Sequence, residues 1–169
     1  LYGVGSDDTH HYINCTPDQR LADAWIMVRS AALNADALLA AMDAGDCYAS
    51  TGVLLDDVAF DPSSRTLRVS VQPAPGTTYR IRFITTRRGF DTGVRSVHCP
   101  AVKGRGARTL PVYADDIGRT AKLVEGTEAS YRMAADDLYV RAKIESSVPS
   151  GYTRHFHPDV QVAWTQPWR

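Results

Sequence analysis

What this sequence has little of sets its limits first. Cysteine is scarce: Cys15, Cys47 and Cys99 are an odd number at wide spacing, with no Cys-x-x-Cys pair. That excludes a disulfide framework and reads as three small buried or half-buried thiols. Neither sign of charge is in excess, since 19 Lys+Arg meet 19 Asp+Glu. A neutral balance lacks the electrostatic footprint of a general nucleic-acid binder, so no nucleic-acid partner is expected. Long apolar runs are missing too. The longest obvious one, Ala24 to Val28, falls far short of the roughly 20 residues a membrane span needs, so no membrane partner is expected. There is no internal repeat and no low-complexity tract. There is also no initiator methionine and no signal peptide. The chain opens on Leu1-Tyr2-Gly3-Val4-Gly5, which reads like the middle of a strand, so a piece of a longer protein is expected and the compartment stays open.

What is there fits a globular chain. The 169 residues, 44% hydrophobic and 22% charged, suit one domain, or a small domain plus a remnant of another. A domain of this size buries about two-thirds of its unfolded surface, enough for a core without staples.

The pattern changes near residue 50. Before it the texture is mixed. Asn34 is a good N-cap, Asp36 lies in the first turn where the helix dipole favours a carboxylate, and Gly45 stands where a glycine ends a helix. Leu38, Leu39, Met42 and several alanines between them predict a short amphipathic helix from Asn34 to Ala44. Trp25-Ile26-Met27-Val28 predicts a strand buried on both faces. After Thr51 the period becomes two: Leu67, Val69 and Val71; Tyr79, Ile81 and Phe83; Leu138, Val140, Ala142 and Ile144; Val160, Val162 and Trp164. Turn clusters at 61–64, 73–76, 87–89 and 146–151 separate these runs. At least five strands, and no helix longer than about three turns, are expected there.

The chemistry-bearing stretch is Gly5-Ser6-Asp7-Asp8-Thr9-His10-His11-Tyr12. Residues i and i+2 of an extended backbone point the same way, so Asp8 and His10 could address one metal ion. A carboxylate with an imidazole suits zinc, manganese or iron. The competing reading is a strand-to-loop junction whose aspartates cap turns and whose histidines are solvated.

A strand ending in Ser-Asp-Asp-Thr-His-His-Tyr resembles the last metal motif of the polymerase and histidinol phosphatase (PHP) superfamily of metal-dependent phosphoesterases. Similarity continues in order. Ala24 to Arg29 resembles the strand after that motif. Leu33 to Gly45, then Cys47-Tyr48-Ala49-Ser50-Thr51-Gly52, resembles the final barrel helix and the turn after it. Tyr139-Val140-Arg141 and Ala163-Trp164-Thr165-Gln166-Pro167 resemble the closing β segments of relatives with an all-β tail. The resemblance implies an α+β chain: residues 1–50 as the end of a β/α barrel (strand, strand, helix), and residues 51–169 as an antiparallel β-sandwich. It implies that Asp8 and His10 match the last two metal ligands. It gives no role to their neighbours Asp7 and His11, which stand beside them as candidates to support the ligands by hydrogen bonding. It further implies a divalent metal (zinc, manganese or iron), a small-molecule phosphoester substrate, and the upstream barrel portion of the same protein as partner. The family's opening His-x-His motif, middle histidines and bridging glutamate have no counterpart here. Two ligands do not make a catalytic site, so the chain is expected to be inactive alone.

Other candidates carry two readings each. Ser50-Thr51-Gly52 could bind phosphate through backbone N–H groups, or be a tight turn. His155-Phe156-His157, near Asp159, reads as a loop with exposed histidines rather than a permuted metal site. Arg87, Arg88, Arg95, Lys103, Arg105 and Arg108 read as a solvated basic loop, since no aromatic residues interleave. Trp164 falls on the apolar alternation and reads as core; Trp168 is open to core or sugar-stacking roles. The functional alternative is a non-catalytic module that binds a ligand such as carbohydrate, or braces a barrel.

Overall fold

Apolar–polar alternation is what the backbone follows, and it makes the molecule a β protein. The computed structural model describes residues 2–6, 23–102, 106–150 and 160–169. Its elements are β1 (Trp25–Val28), α1 (Ala35–Ala44), β2 (Cys47–Ser50), β3 (Leu55–Asp61), β4 (Thr66–Val71), β5 (Tyr79–Thr85), β6 (Val94–Cys99), β7 (Arg108–Tyr113), β8 (Arg119–Glu125), β9 (Glu128–Arg132), β10 (Arg141–Pro149) and β11 (Val160–Thr165). A six-stranded sheet runs β1-β2-β11-β10-β5-β8, a three-stranded sheet runs β3-β4-β9, and β6 pairs with β7 alone. Every pairing is antiparallel.

The two larger sheets bury their facing sides together. Leu67, Val69 and Val71 of β4 meet Ile81 and Phe83 of β5 and Ala142 and Ile144 of β10 in one cluster. Each set lies at alternate positions, which a pleated strand places on one face. Phe83 is fully buried and stacks on Tyr131 with ring centroids 5.7 Å apart. Removing a side chain of that size from water contributes about 1.5–3 kcal/mol. No helix among the described residues is long and apolar enough to cross a membrane.

The expected α+β class, with a β/α-barrel remnant over residues 1–50, is overturned: the chain is β-rich, with one short helix. A barrel end would set successive strands parallel with a helix laid on their face. Here β1 and β2 are antiparallel (Trp25 opposite Ser50, Val28 opposite Cys47), and β2 pairs with β11 (Ala163 opposite Ser50). Strands from both sides of residue 50 therefore share one sheet. Helix α1 has the expected ends: the Asn34 side chain accepts from the Ala37 N–H at 2.9 Å, and Gly45 takes a left-handed φ of 80°. The Gly45 and Asp46 N–H groups then donate to Met42 and Ala41 carbonyls, closing the last turn. Yet α1 buries none of its residues, so it is a connection rather than a barrel layer. Nor is Trp25–Val28 buried on both faces. It is the sheet's edge strand, and Met27 is 38% exposed.

The β3–β4 turn shows how local chemistry fixes a register. Asp61 Oδ1 accepts from the Ser63 N–H at 2.9 Å and hydroxyl at 2.7 Å, while Oδ2 accepts from the Ser64 hydroxyl at 2.6 Å. These bonds, the Ser64 hydroxyl first, lower the Asp61 carboxyl from 3.8 to about 2. A depressed carboxyl stabilises the fold above its unfolded-state value, and that contribution is lost as pH falls through the folded value. A carboxyl-detected NMR titration is expected to place the Asp61 midpoint near 2. The Ser63→Ala, Ser64→Ala double variant is expected to raise it toward the ordinary value, and an unmoved midpoint would contradict this account.

Candidate functional site

The segment leading into the Asp8–His10 motif is gripped by the β body. The Gln166 side chain, 2% exposed, faces the backbone of Gly3. The Gly3 N–H donates to Gln166 Oε1 at 2.8 Å, and Gln166 Nε2 donates to the Gly3 carbonyl at 2.7 Å. The amide thus pairs with Gly3 as a neighbouring strand would. Gln166 Nε2 also lies 3.3 Å from the buried Cys47 sulfur, tying the same amide to β2. On either side of Gly3 the segment is seated further. The Tyr2 hydroxyl donates to the Ala44 carbonyl at 3.3 Å. A side chain at Gly45 would meet the Tyr2 ring at 2.7 Å, and one at Gly5 would meet the Trp25 carbonyl oxygen at 2.9 Å. Glycine at 5 is what lets the two backbones approach.

Asp7, Asp8, His10, His11, His155 and His157 lie outside the described residues. Among the described residues no group of three or more His, Cys, Asp or Glu is placed to hold a metal. Ser50, Thr51 and Gly52 form a turn whose donors have partners within the chain. Thr51 N–H donates to the Val162 carbonyl at 2.9 Å, and Val162 N–H returns a bond to the Thr51 hydroxyl at 2.9 Å. Gly52 N–H donates to the Ser50 hydroxyl, which donates to the Val53 carbonyl at 2.7 Å. The turn fastens β2 to β11.

Trp164 is half-buried on the sheet's outer face rather than in the core. Arg141 lies 4.7 Å and Lys143 5.4 Å from its ring centroid. Beside it Glu145 gathers Lys143 at 2.7 Å, Arg80 at 3.4 Å and Arg82 at 3.5 Å. Burial raises the Glu145 carboxyl, but the Lys143 hydrogen bond and the three cations outweigh it and hold it below its ordinary value. Trp168 stacks on Phe60 at 6.3 Å and bridges to Val140.

Trp168 also lines a cleft of about 180 Å³ with Met27, Tyr48, Asp46, Asp56 and Asp57. Arg29 also lines it, donating to Asp57 at 2.8 Å and to the Val58 carbonyl at 3.0 Å, so it ties the end of β1 to β3. The Tyr48 hydroxyl accepts from the Leu55 N–H at 3.0 Å. Burial, helped by the Asp56 charge, raises the Tyr48 hydroxyl above its ordinary value and keeps it neutral.

Sequence reasoning did not single out Gln166, Asp56 or Arg29. The available signal was a glutamine just past the last apolar run, since a buried amide must find hydrogen-bond partners. No family model, no curated protein and no solved structure matches the chain. Replacing Gln166 with Leu is expected to free the Gly3 backbone and cost about 1–3 kcal/mol in urea denaturation. Amide exchange at Gly3 should quicken while the β10 amides keep their protection. An unchanged Gly3 rate would show that the clamp does not hold the segment.

Proposed function

We propose that this chain is the C-terminal β segment of a metal-dependent phosphoesterase resembling the PHP superfamily, contributing Asp8 and His10 to a metal site completed by other parts of the parent. The observation that supports this reading is the Gln166–Gly3 clamp. A buried side-chain amide bonds both the N–H and the carbonyl of Gly3, just ahead of Ser6-Asp7-Asp8-Thr9-His10-His11. Holding the lead-in restricts where two donors can sit, and such positioning is worth several kcal/mol in a metal site.

The donor set fits by its chemistry, since a carboxylate and an imidazole suit zinc, manganese or iron. A bound metal would polarise phosphoryl oxygens and acidify a bound water. This chain's part is to supply two donors and hold their approach. Two donors leave the shell open, so turnover belongs to the parent.

The test is metal titration by calorimetry with an aryl phosphate assay alongside. The chain is expected to take up zinc or manganese weakly, to lose that uptake in the Asp8→Ala, His10→Ala variant, and to weaken it in Gln166→Leu. No turnover above background is expected with zinc, manganese or iron. Equal uptake by the chain and the double variant would favour a purely structural module and overturn the reading. Turnover abolished by that variant would mean that the chain closes its own metal shell.

A further inference from the structure

Residues 94–113 are the part of the molecule that its own fold explains least. Among the described residues β6 and β7 pair only with each other and join neither sheet. All their residues are exposed except Cys99 and Val112, which are half-buried. A lone two-stranded ribbon is marginal in water and gains from something to lie on. Its register places Arg95 opposite Val112, Val97 opposite Leu110 and Cys99 opposite Arg108. Residues directly opposite share a face, so one face carries an apolar centre bracketed by two arginines. Val97 is 43% and Leu110 38% exposed. Pro111 interrupts the outer edge of β7 and disfavours strand addition there. The other face carries Val94 opposite Tyr113, 54% and 58% exposed, but no arginine, so the Val97–Leu110 face is the one that joins apolar surface to charge.

The charge partition points to what covers it. Residues 94–113 hold four of the 19 basic residues and none of the 19 acidic ones, which leaves the remainder 15 to 19, a net −4. The complement of the ribbon is therefore present on the chain itself. The cleft beside β1 and β2 is lined by Asp46, Asp56 and Asp57, with apolar surface from Met27 and Trp168. Asp57 is engaged by Arg29, whereas Asp46 and Asp56 form no ion pair among the described residues. A space of about 180 Å³ is of the order that holds one ring-sized group. The ribbon leaves the sheet between β5 and β8, and the cleft flanks β1 and β2 at the other edge. Five strand spacings of roughly 4.8 Å separate those edges.

We propose that the ribbon is an arm that docks on the acidic cleft of a second copy of this chain. The Val97–Leu110 face lies against Met27 and Trp168, and Arg95 and Arg108 face Asp46 and Asp56. Two such contacts related by a two-fold axis close a dimer by arm exchange. The proposal is independent of the phosphoesterase reading, because it involves neither Asp8 nor His10.

Sedimentation of the full 169-residue chain tests it. The chain is expected to be a dimer that weakens as salt rises. Arg95→Glu with Arg108→Glu is expected to give monomers, and so is Asp46→Lys with Asp56→Lys. Mixing the two charge-reversed proteins is expected to restore association, because each supplies the other's complement. The arm variant should keep the parent's circular dichroism, since the ribbon joins neither sheet, while its melting temperature loses the dependence on protein concentration that a dimer shows. A monomeric parent chain, reversals without effect on association, or mixtures that stay monomeric would each overturn the proposal. A monomeric chain that binds DNA or anionic vesicles through Arg95 and Arg108 would overturn it in favour of a polyanion.

Discussion

The pairing of β2 with β11 is the contact on which the rest of the molecule depends. It joins residues 47–50 to residues 160–165, with Ala163 opposite Ser50 and Thr165 opposite Tyr48. β11 is hydrogen-bonded on its other side to β10, so it splices the β1–β2 pair onto the main sheet. The Ser50-Thr51-Gly52 turn adds reciprocal bonds between Thr51 and Val162. Gly52 is the residue that permits this: its φ is 140°, and a side chain there would strike Gln161 at 2.3 Å. Closing so long a loop costs only slowly more entropy as the loop lengthens, and a two-sided strand repays it with hydrogen bonds on both edges.

Everything near the candidate site follows from that splice. Because β11 runs beside β2, the residue just past its end, Gln166, reaches both the Cys47 sulfur and the Gly3 backbone. Because β2 is held there, the α1 C-terminus meets Tyr2 and β1 meets Gly5. The lead-in to the Asp8–His10 motif is thus positioned by residues from the far end of the chain. The same arrangement sets Asp46 and Tyr48 against β3, and Arg29 crosses between the sheets to Asp57 and Val58, which creates the acidic cleft.

Charge is distributed by topology rather than by composition. A neutral chain divides into a basic ribbon and an acidic remainder, and its basic outer sheet face is partly offset by one carboxylate, Glu145. A whole-chain total conceals such a division. Among the described residues Asp137 is the buried carboxylate: it accepts from the Tyr131 hydroxyl and the Ala134 N–H, both at 2.7 Å, with Arg87 3.5 Å away. Both bonds end on Oδ2, while Oδ1 makes no hydrogen bond and has only the Arg87 charge beside it, which offsets part of a burial that would be costly if left alone.

Several features were legible in the residues themselves because their causes are local. The period-two runs became β4, β5 and β10 with the expected faces buried, since alternation decides which face of a strand can be buried. The run from Val160 to Trp164 became β11, but it turns Ala163 rather than Trp164 to the core. Asn34 and Gly45 marked the ends of α1, since caps act within one turn. The turn at Asp61 was equally local. The Asp8–His10 pair was legible only as a pattern of residue types. What the tertiary structure alone decided is where those pieces meet. A strand such as Trp25–Val28 reads the same whether it joins a parallel barrel or the edge of an antiparallel sheet, because its partner is not its neighbour in the chain. The place of β2 beside β11, the grip of Gln166 on Gly3 and the isolation of the β6–β7 ribbon were decided by pairings across long stretches of chain. Local propensity carries no record of those pairings, and only shared hydrogen bonds and a common core select them.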